Sequence, residues 1–404
     1  MPQPDRLQGF PFEEHNAEVR AAWAALDAGR PTRTPSVLGA NTRFMLMNLA
    51  ASPDGPDWRR YMESPDFMFE SQLRFQRWMR FNMLQDAPLG LPDAWRISPD
   101  FQNTYEAAWL GCPIHYPEGQ VPCTTAGFED CPERVMEGGI PDPFGGTLAL
   151  GLEYYERYME LARGREYLGR PIEPQMPGWG WGSDGVMTVA CNLFGPNFVC
   201  MAMAAEPERL HALFEFLTEA TIHRLHSWRR RYGISLQLDN WCYADDSVAL
   251  IGVAMYREHV LPYHKRVYDA VATPKGRGIH LCGNATRHFK TMCEELGIVM
   301  FDTGFPVDFA WVREQVGPNV RIQGGPHVDV LRYETPAAVR IETERILDSG
   351  ILEGGQFVLR EGNNLAPETP IANTEAMYGA CRRRALGAGQ DPAGVLKWLD
   401  EHPL

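Results

Sequence analysis

The sequence predicts an α/β protein, a (β/α)8 TIM barrel with an elaborated amino-terminal region. Three observations carry that expectation. From residue 207 onward short apolar runs alternate with helical stretches; within the runs apolar residues alternate with polar ones; and no Gly-x-Gly-x-x-Gly loop follows any run. An open doubly wound sheet lies under helices on both faces and should be greasy on both. A closed barrel can keep apolar residues under its helices and polar ones around its mouth.

The elements follow in order. A helix near 14–29, a first strand at PSVLGANTR and helical stretches near 65–83 and 148–163 are separated by Pro- and Gly-rich loops. Residues 84–147 read as irregular, with Cys112, Cys123, Cys131, His115 and several prolines. An insertion of that length suits a lid or an oligomer contact, here within a single domain spanning 1–404, so a homodimer is an expectation. Pro207 then opens a helix with Leu210, Phe214, Leu217, Leu225 and Trp228 at helical spacing, closed by Gly233. ISLQLDNW reads as strand, 252–272 as helix, GIHLCGN as strand, TRHFKTMCEELG as helix and IVMFDTG as strand. DFAWVREQVG, TPAAVRIETERILDSG and TPIANTEAMYGACRRRA are helical, with VRIQGG and QFVLREG as the strands between them.

Composition removes several classes of function. Hydrophobic residues make up 44% and charged ones 22%, and no run approaches the 18 or so apolar residues of a membrane span, so no membrane partner is expected. The start, MPQPDRLQGFPFEEHN, lacks the basic patch and apolar stretch of a secretory signal, which predicts a cytoplasmic chain. Nine cysteines without Cys-x-x-Cys pairs then read as thiols. A formal charge of −14 opposes a polyanion, and nucleic acid is excluded as a partner. The cluster Arg229–Arg231 reads as a solvated helix terminus.

Functional groups of a barrel gather at the carboxyl ends of its strands. Asp184, Asp239, His280, Cys282, Asp302, Gln323, His327, Arg360 and Glu361 all fall at such ends. Asp302 and Asn284 are as readily helix caps as chemical groups, whereas Asp239 shares the inward parity of Gln237. His280 and Cys282 stand two apart on a strand, so imidazole and thiolate point to one side and could hold a zinc ion. Two donors are too few for a catalytic zinc. Asp239 and Glu361 are the nearest third ligands, although simple alternation would turn Glu361 outward unless the strand bulges or ends before it. A core histidine beside a buried thiol is the plain alternative. Trp179, Trp181, Trp241 and Tyr243 could wall a pocket for a flat organic substrate, or simply pack. Asp184, His327 and Arg360 are candidate acid, base or anion-binding groups.

RPTRTPSVLGANTR, HLCGN, GIVMFDTGFPVDFAWVREQVGPNVRIQGGPHVDVL and GNNLAPETPIANTEAMY together resemble the uroporphyrinogen decarboxylase superfamily. The resemblance implies a (β/α)8 barrel and one of two chemistries: cofactor-free decarboxylation of a tetrapyrrole, or zinc-dependent methyl transfer coupled to a corrinoid. The decarboxylase branch uses an Arg-Gln-Ala-Gly-Arg-Tyr motif where this chain reads GANTRF, leaving only Arg43. The methyltransferase branch has a His-x-Cys matched by His280 and Cys282, with a third cysteine ligand where Asn363 stands here. That departure implies substitution by Glu361 or Asp239, or a weakly held or absent metal. A carboxylate in place of a thiolate leaves zinc a stronger Lewis acid, suited to the oxygen of a methyl ether. No Asp-x-His-x-x-Gly motif is present, so the resemblance implies cobalamin supplied by a corrinoid-binding partner protein.

Overall fold

The computed structural model describes residues 5–49, 52, 55–178, 182–386 and 391–404. Its strands, in chain order, are β1 (Trp95–Ile97), β2 (Ile114–His115), β3 (Cys123–Thr124), β4 (Glu166–Tyr167), β5 (Arg170–Pro174), β6 (Trp241–Ala244), β7 (Arg277–Leu281), β8 (Ile298–Thr303), β9 (Arg321–Gly324) and β10 (Phe357–Leu359). The last five form one parallel sheet in the order β10-β9-β8-β7-β6. Each is followed by helix, as the alternating pattern predicts. Phe289–Leu296, Phe309–Val316 and Pro336–Leu347 lie within the predicted stretches, and Ile371–Leu386 runs one residue past its own.

Single bridges lengthen the sheet at both edges. Ser36 pairs in parallel with Leu359, and Asp184 with Ala244. Seven staves thus run side by side. Among the described residues no ladder joins the two outer ones into a ring. β1 pairs instead with β5, in a small sheet of its own with β4.

Alternation along the strands divides the two faces. Tyr243, Ile279, Leu281, Phe301, Ile322, Phe357 and Leu359 are buried in the main apolar core. Phe301 stacks on Phe289 of the preceding helix at 4.0 Å between centroids, and Tyr243 packs edge-on against Tyr268. The other face carries Cys242, Gly278, His280, Met300, Asp302, Arg321 and Gln323. Register lines Ala244, His280, Asp302, Gln323 and Val358 into one row across five strands. That row is the floor of the site described below.

Three expectations are corrected. The predicted strand ISLQLDNW is mostly irregular; the ladder begins at Trp241, so WCYA is the strand. Gly233 ends the long helix as expected, but residues 234–240 are spent crossing back to the sheet edge, with one bridge at Leu238. The expected first strand at 35–43 is reduced to the Ser36 bridge, because Asn41 caps a short helix, Thr42–Leu46, by accepting from the Arg43 amide. Arg229 is not solvated: it is fully buried, and its guanidinium donates to the carbonyls of Leu236 and Val271 at 2.7 Å. Arg230 and Arg231 are exposed.

All nine cysteines are free thiols. Among the described residues no single helix is long and apolar enough to cross a membrane. One bent pair, Val186–Phe194 with Pro196–Ala205, passes by length and composition together, with 112° between its halves.

Candidate metal centre

The register of β7 and β8 sets His280 directly beside Asp302. The imidazole Nδ1 lies 2.8 Å from Asp302 Oδ2, which leaves Nε2 facing the Cys282 sulfur at 2.9 Å. Arg360, leaving the end of β10, donates to both Asp302 oxygens at 2.9 and 3.0 Å and to the Asn363 carbonyl at 2.8 Å. An imidazole held by a carboxylate on one nitrogen and free on the other is the usual mount of a metal-binding histidine. Burial works against the imidazolium, but the Asp302 carboxylate and the Cys282 sulfur outweigh it and lift His280 to about 10. Burial pushes the Cys282 thiol upward. A metal ion entering here must displace protons.

Cys282 sits one residue past β7, where the backbone turns through Gly283 in the left-handed region, φ 68°. Its amide donates to Asp246 Oδ1 at 2.6 Å, and its sulfur lies 3.1 Å from Asn363 Oδ1. The chain beyond β8 passes so close that a side chain on Gly304 would meet Gly283 N at 2.4 Å and Cys282 Cα at 2.6 Å. Glycine is required there for the two loops to lie together.

Donor atoms of Asp246, His280 and Cys282 all lie within 4.8 Å of one another, and this is the sole such group among the described residues. Nitrogen, sulfur and carboxylate oxygen are the donor types zinc accepts, and three of them leave a position open. The residues present therefore fit a divalent ion. The third member is Asp246 rather than Glu361 or Asp239. Glu361 is fully buried, accepts from the Gly39 amide at 2.7 Å, and is raised to about 7 by burial against the pull of Arg360 and Gly39. Asp239 precedes β6, at the opposite end of the sheet, where it is exposed and paired with Lys275 at 3.0 Å. The ladder starts at Trp241, seven residues beyond the start of ISLQLDNW, so the acid pair after WCYA, Asp245 and Asp246, marks the true strand end.

A polar cavity of about 440 Å³ opens over these groups, lined also by Arg43, Asn103, Asp184, Ala244, Asp302, Asn363 and Asn364. Asp184 belongs to it, carried on the edge bridge to Ala244. Behind it Glu106 accepts from Ser183 Oγ at 2.8 Å, from the Asp184 amide at 2.6 Å and from Arg224 at 2.6 Å. Segment 84–147 thus supplies the cavity with Asn103 and its wall with Glu106. Trp241 and Tyr243 do not wall the cavity. They stack on each other at 4.9 Å and are buried beneath the helix Leu261–Val271. Trp179 and Trp181 lie outside the described residues. His327 caps a helix, its Nδ1 accepting from the Asp329 amide at 3.0 Å, and its ring rests on Phe305. Asp302 is no helix cap: it orients His280.

A parallel α/β sheet brings an imidazole, a thiol and a carboxylate together at its carboxyl edge, donor types that a divalent ion accepts. Residues 20–384 match the family model described as Uroporphyrinogen decarboxylase (URO-D), and the chain belongs to that family. Methylated-thiol–coenzyme M methyltransferase of Methanosarcina mazei is 25% identical over 311 residues, covering 74% of this chain and 76% of that protein. Uroporphyrinogen decarboxylase of Pelobacter propionicus is 26% identical over 223 residues, 54% of this chain and 63% of that one. Methylcobamide:CoM methyltransferase MtbA of Methanosarcina acetivorans is 29% identical over 132 residues, 32% and 37% of the two chains. Among solved structures, a methyltransferase from Methanosarcina mazei superposes with a TM-score of 0.60 at 18% identity, over 91% of this chain and 98% of that one, a likeness of fold.

Proposed function

We propose that the chain is a zinc-dependent methyltransferase component, moving a methyl group between a small organic substrate, methyl ethers included, and the corrinoid of a partner protein. In this reading the seven staves belong to a (β/α)8 barrel, and the partner brings cobalamin to the cavity mouth. The observation that carries it is the convergence of His280 Nε2, Cys282 Sγ and an Asp246 oxygen. Relatives named as methyltransferases acting with coenzyme M or methylcobamide support the same chemistry.

His280, Cys282 and Asp246 would hold the ion, and a bound zinc supplies Lewis acidity toward a substrate oxygen or sulfur. The protein's own groups do the rest. Asp302 and Arg360 fix the His280 ring, Asn363 stands against the sulfur, and Asn103, Asn364, Arg43 and Asp184 present hydrogen-bonding groups to whatever fills the cavity. Decarboxylation of a substrate with many carboxylates is less well served, since among the described lining residues Arg43 alone is a Lys or Arg, and Arg360 is already paired with Asp302.

Metal analysis of the purified protein tests the reading. About one zinc per chain is expected, absent from His280→Ala and Cys282→Ala. Asp246→Ala should weaken zinc by about 100-fold or more, beyond the 10- to 100-fold typical of an outer-shell change, while Glu361→Gln keeps it. Methylation of added cob(I)alamin, followed by its spectrum across small methyl ethers, amines and thiols, then reads the activity. A zinc-free protein of full activity, or equal zinc loss in Glu361→Gln and Asp246→Ala, refutes the assignment.

A further inference from the structure

Charge around the cavity is nearly balanced within the protein. Arg360 answers Asp302 and Arg224 answers Glu106, while Asp245 accepts from the Met187 and Thr188 amides. Asp246 and Cys282 belong to the ion-binding group. Two charged side chains on the wall remain. Arg43 makes one side-chain hydrogen bond, from Nε to Gln102 Oε1 at 3.2 Å, and no ion pair among the described residues. The Asp184 carboxylate has no hydrogen-bond or ion-pair partner among them, although its backbone is pinned on both sides. Its amide donates to Glu106, Ser183 O accepts from Ala244, and the next amide, Gly185 N, donates to Ala244 O.

An isolated charge in a recess is costly unless something pairs with it. Opposite charges act on both only from beyond ion-pair distance, Arg224 on Asp184 and Asp100 on Arg43. A rigidly mounted acid and a separate cation, both facing one polar recess of about 440 Å³, are complementary to a small molecule carrying both opposite charges.

We infer that the cavity selects a small zwitterion, its anionic group against Arg43 and its cationic group against Asp184. This rests on the reading of the cavity as the substrate site and narrows the methyl donor or acceptor to that class. Asp184 becomes a specificity-determining residue, and Glu106 with Arg224 a positioning pair behind it.

Calorimetric binding to the intact protein, with and without added zinc, tests this apart from catalysis. The probes are glycine betaine; tert-butylacetate, which has the same shape and carboxylate without the cation; and choline, which lacks the carboxylate. Glycine betaine should bind at least about tenfold more tightly than either. Asp184→Asn should erase its advantage over tert-butylacetate, and Arg43→Gln its advantage over choline, with thermal unfolding unchanged in both. Equal binding of glycine betaine and tert-butylacetate overturns the inference, as does discrimination that survives Asp184→Asn. So does failure of glycine betaine, dimethylsulfoniopropionate and sarcosine alike to bind at about 10 mM. If discrimination holds in a protein that takes up no zinc, the methyltransferase reading falls while this one stands. Zinc uptake without discrimination gives the reverse.

Discussion

Glu106→Ala is the most revealing single change away from the candidate metal donors. Glu106 and Arg224 form a pair whose side chains are 7% and 0% exposed. Removing the carboxylate leaves a buried guanidinium without its counter-ion, which costs about 3–5 kcal/mol when one partner of such a pair is deleted. The Asp184 amide and the Ser183 hydroxyl lose their acceptor as well, at about 1 kcal/mol each where water does not replace it. Carbonyl contacts from Gly182 to Arg224, at 3.3 and 3.4 Å, recover part of this. A net loss of about 4 kcal/mol is therefore expected, read as a lowered denaturant midpoint at neutral pH with an unchanged slope. Glu106→Gln keeps an acceptor and should lose about half as much. The double variant Glu106→Leu with Arg224→Met should be more stable than Glu106→Ala, since it buries no unpaired charge. A loss below about 1 kcal/mol in Glu106→Ala would refute the claim that this pair carries the wall.

Two further outcomes follow from the same geometry. Gly304→Ala should force apart the Cys282 and Gly304 loops, costing about 1–3 kcal/mol and lowering zinc content, because the new methyl meets backbone rather than a movable side chain; unchanged zinc binding would contradict the required close approach. Acid should loosen the loop carrying Asp246. His288 is fully buried, shares its Nε2 between the Val248 and Ile251 carbonyls at 3.0 and 3.1 Å, and is lowered from 6.5 to about 4, first by burial and then by Arg287. The unfolded chain binds the extra proton in that window. Stability from this residue is therefore complete above pH 6.5 and lost as pH falls toward 4, by roughly 3 kcal/mol in all. Unfolding midpoints of wild type and His288→Gln across that range measure it; identical pH slopes would count against it.

Much of the parallel sheet was legible because period and punctuation agree over residues 276–386. His280 and Cys282 could be placed on one side of one strand from alternation alone. The partners of that pair were harder to see, because they depend on register between strands and not on spacing within one. Asp302 was visible as a strand-end acid, yet only its pairing opposite His280 shows that it orients the ring. Asp246 was hidden by a misplaced strand: LQL has the alternation of a buried ladder, but it runs along the edge before the sheet begins. Of the two readings open for Trp241 and Tyr243, pocket wall or packing, the second holds, because the true strand start turns both toward the helices. The contribution of Glu106 and Asn103 had no local signal, arising where a short helix in an irregular stretch meets the Asp184 stave.

The two ends of the chain divide the labour at this centre. Sulfur, imidazole and their supports come from staves of the carboxyl-terminal half, whereas Arg43, Asn103, Glu106 and Asp184 come from the first half, on segments that among the described residues share no ladder with β7 or β8. Under the proposed function, mutations accumulating in the front half would redraw which molecule is admitted while the His280 and Cys282 donors stay as they were, letting one scaffold diversify its diet without relearning its chemistry.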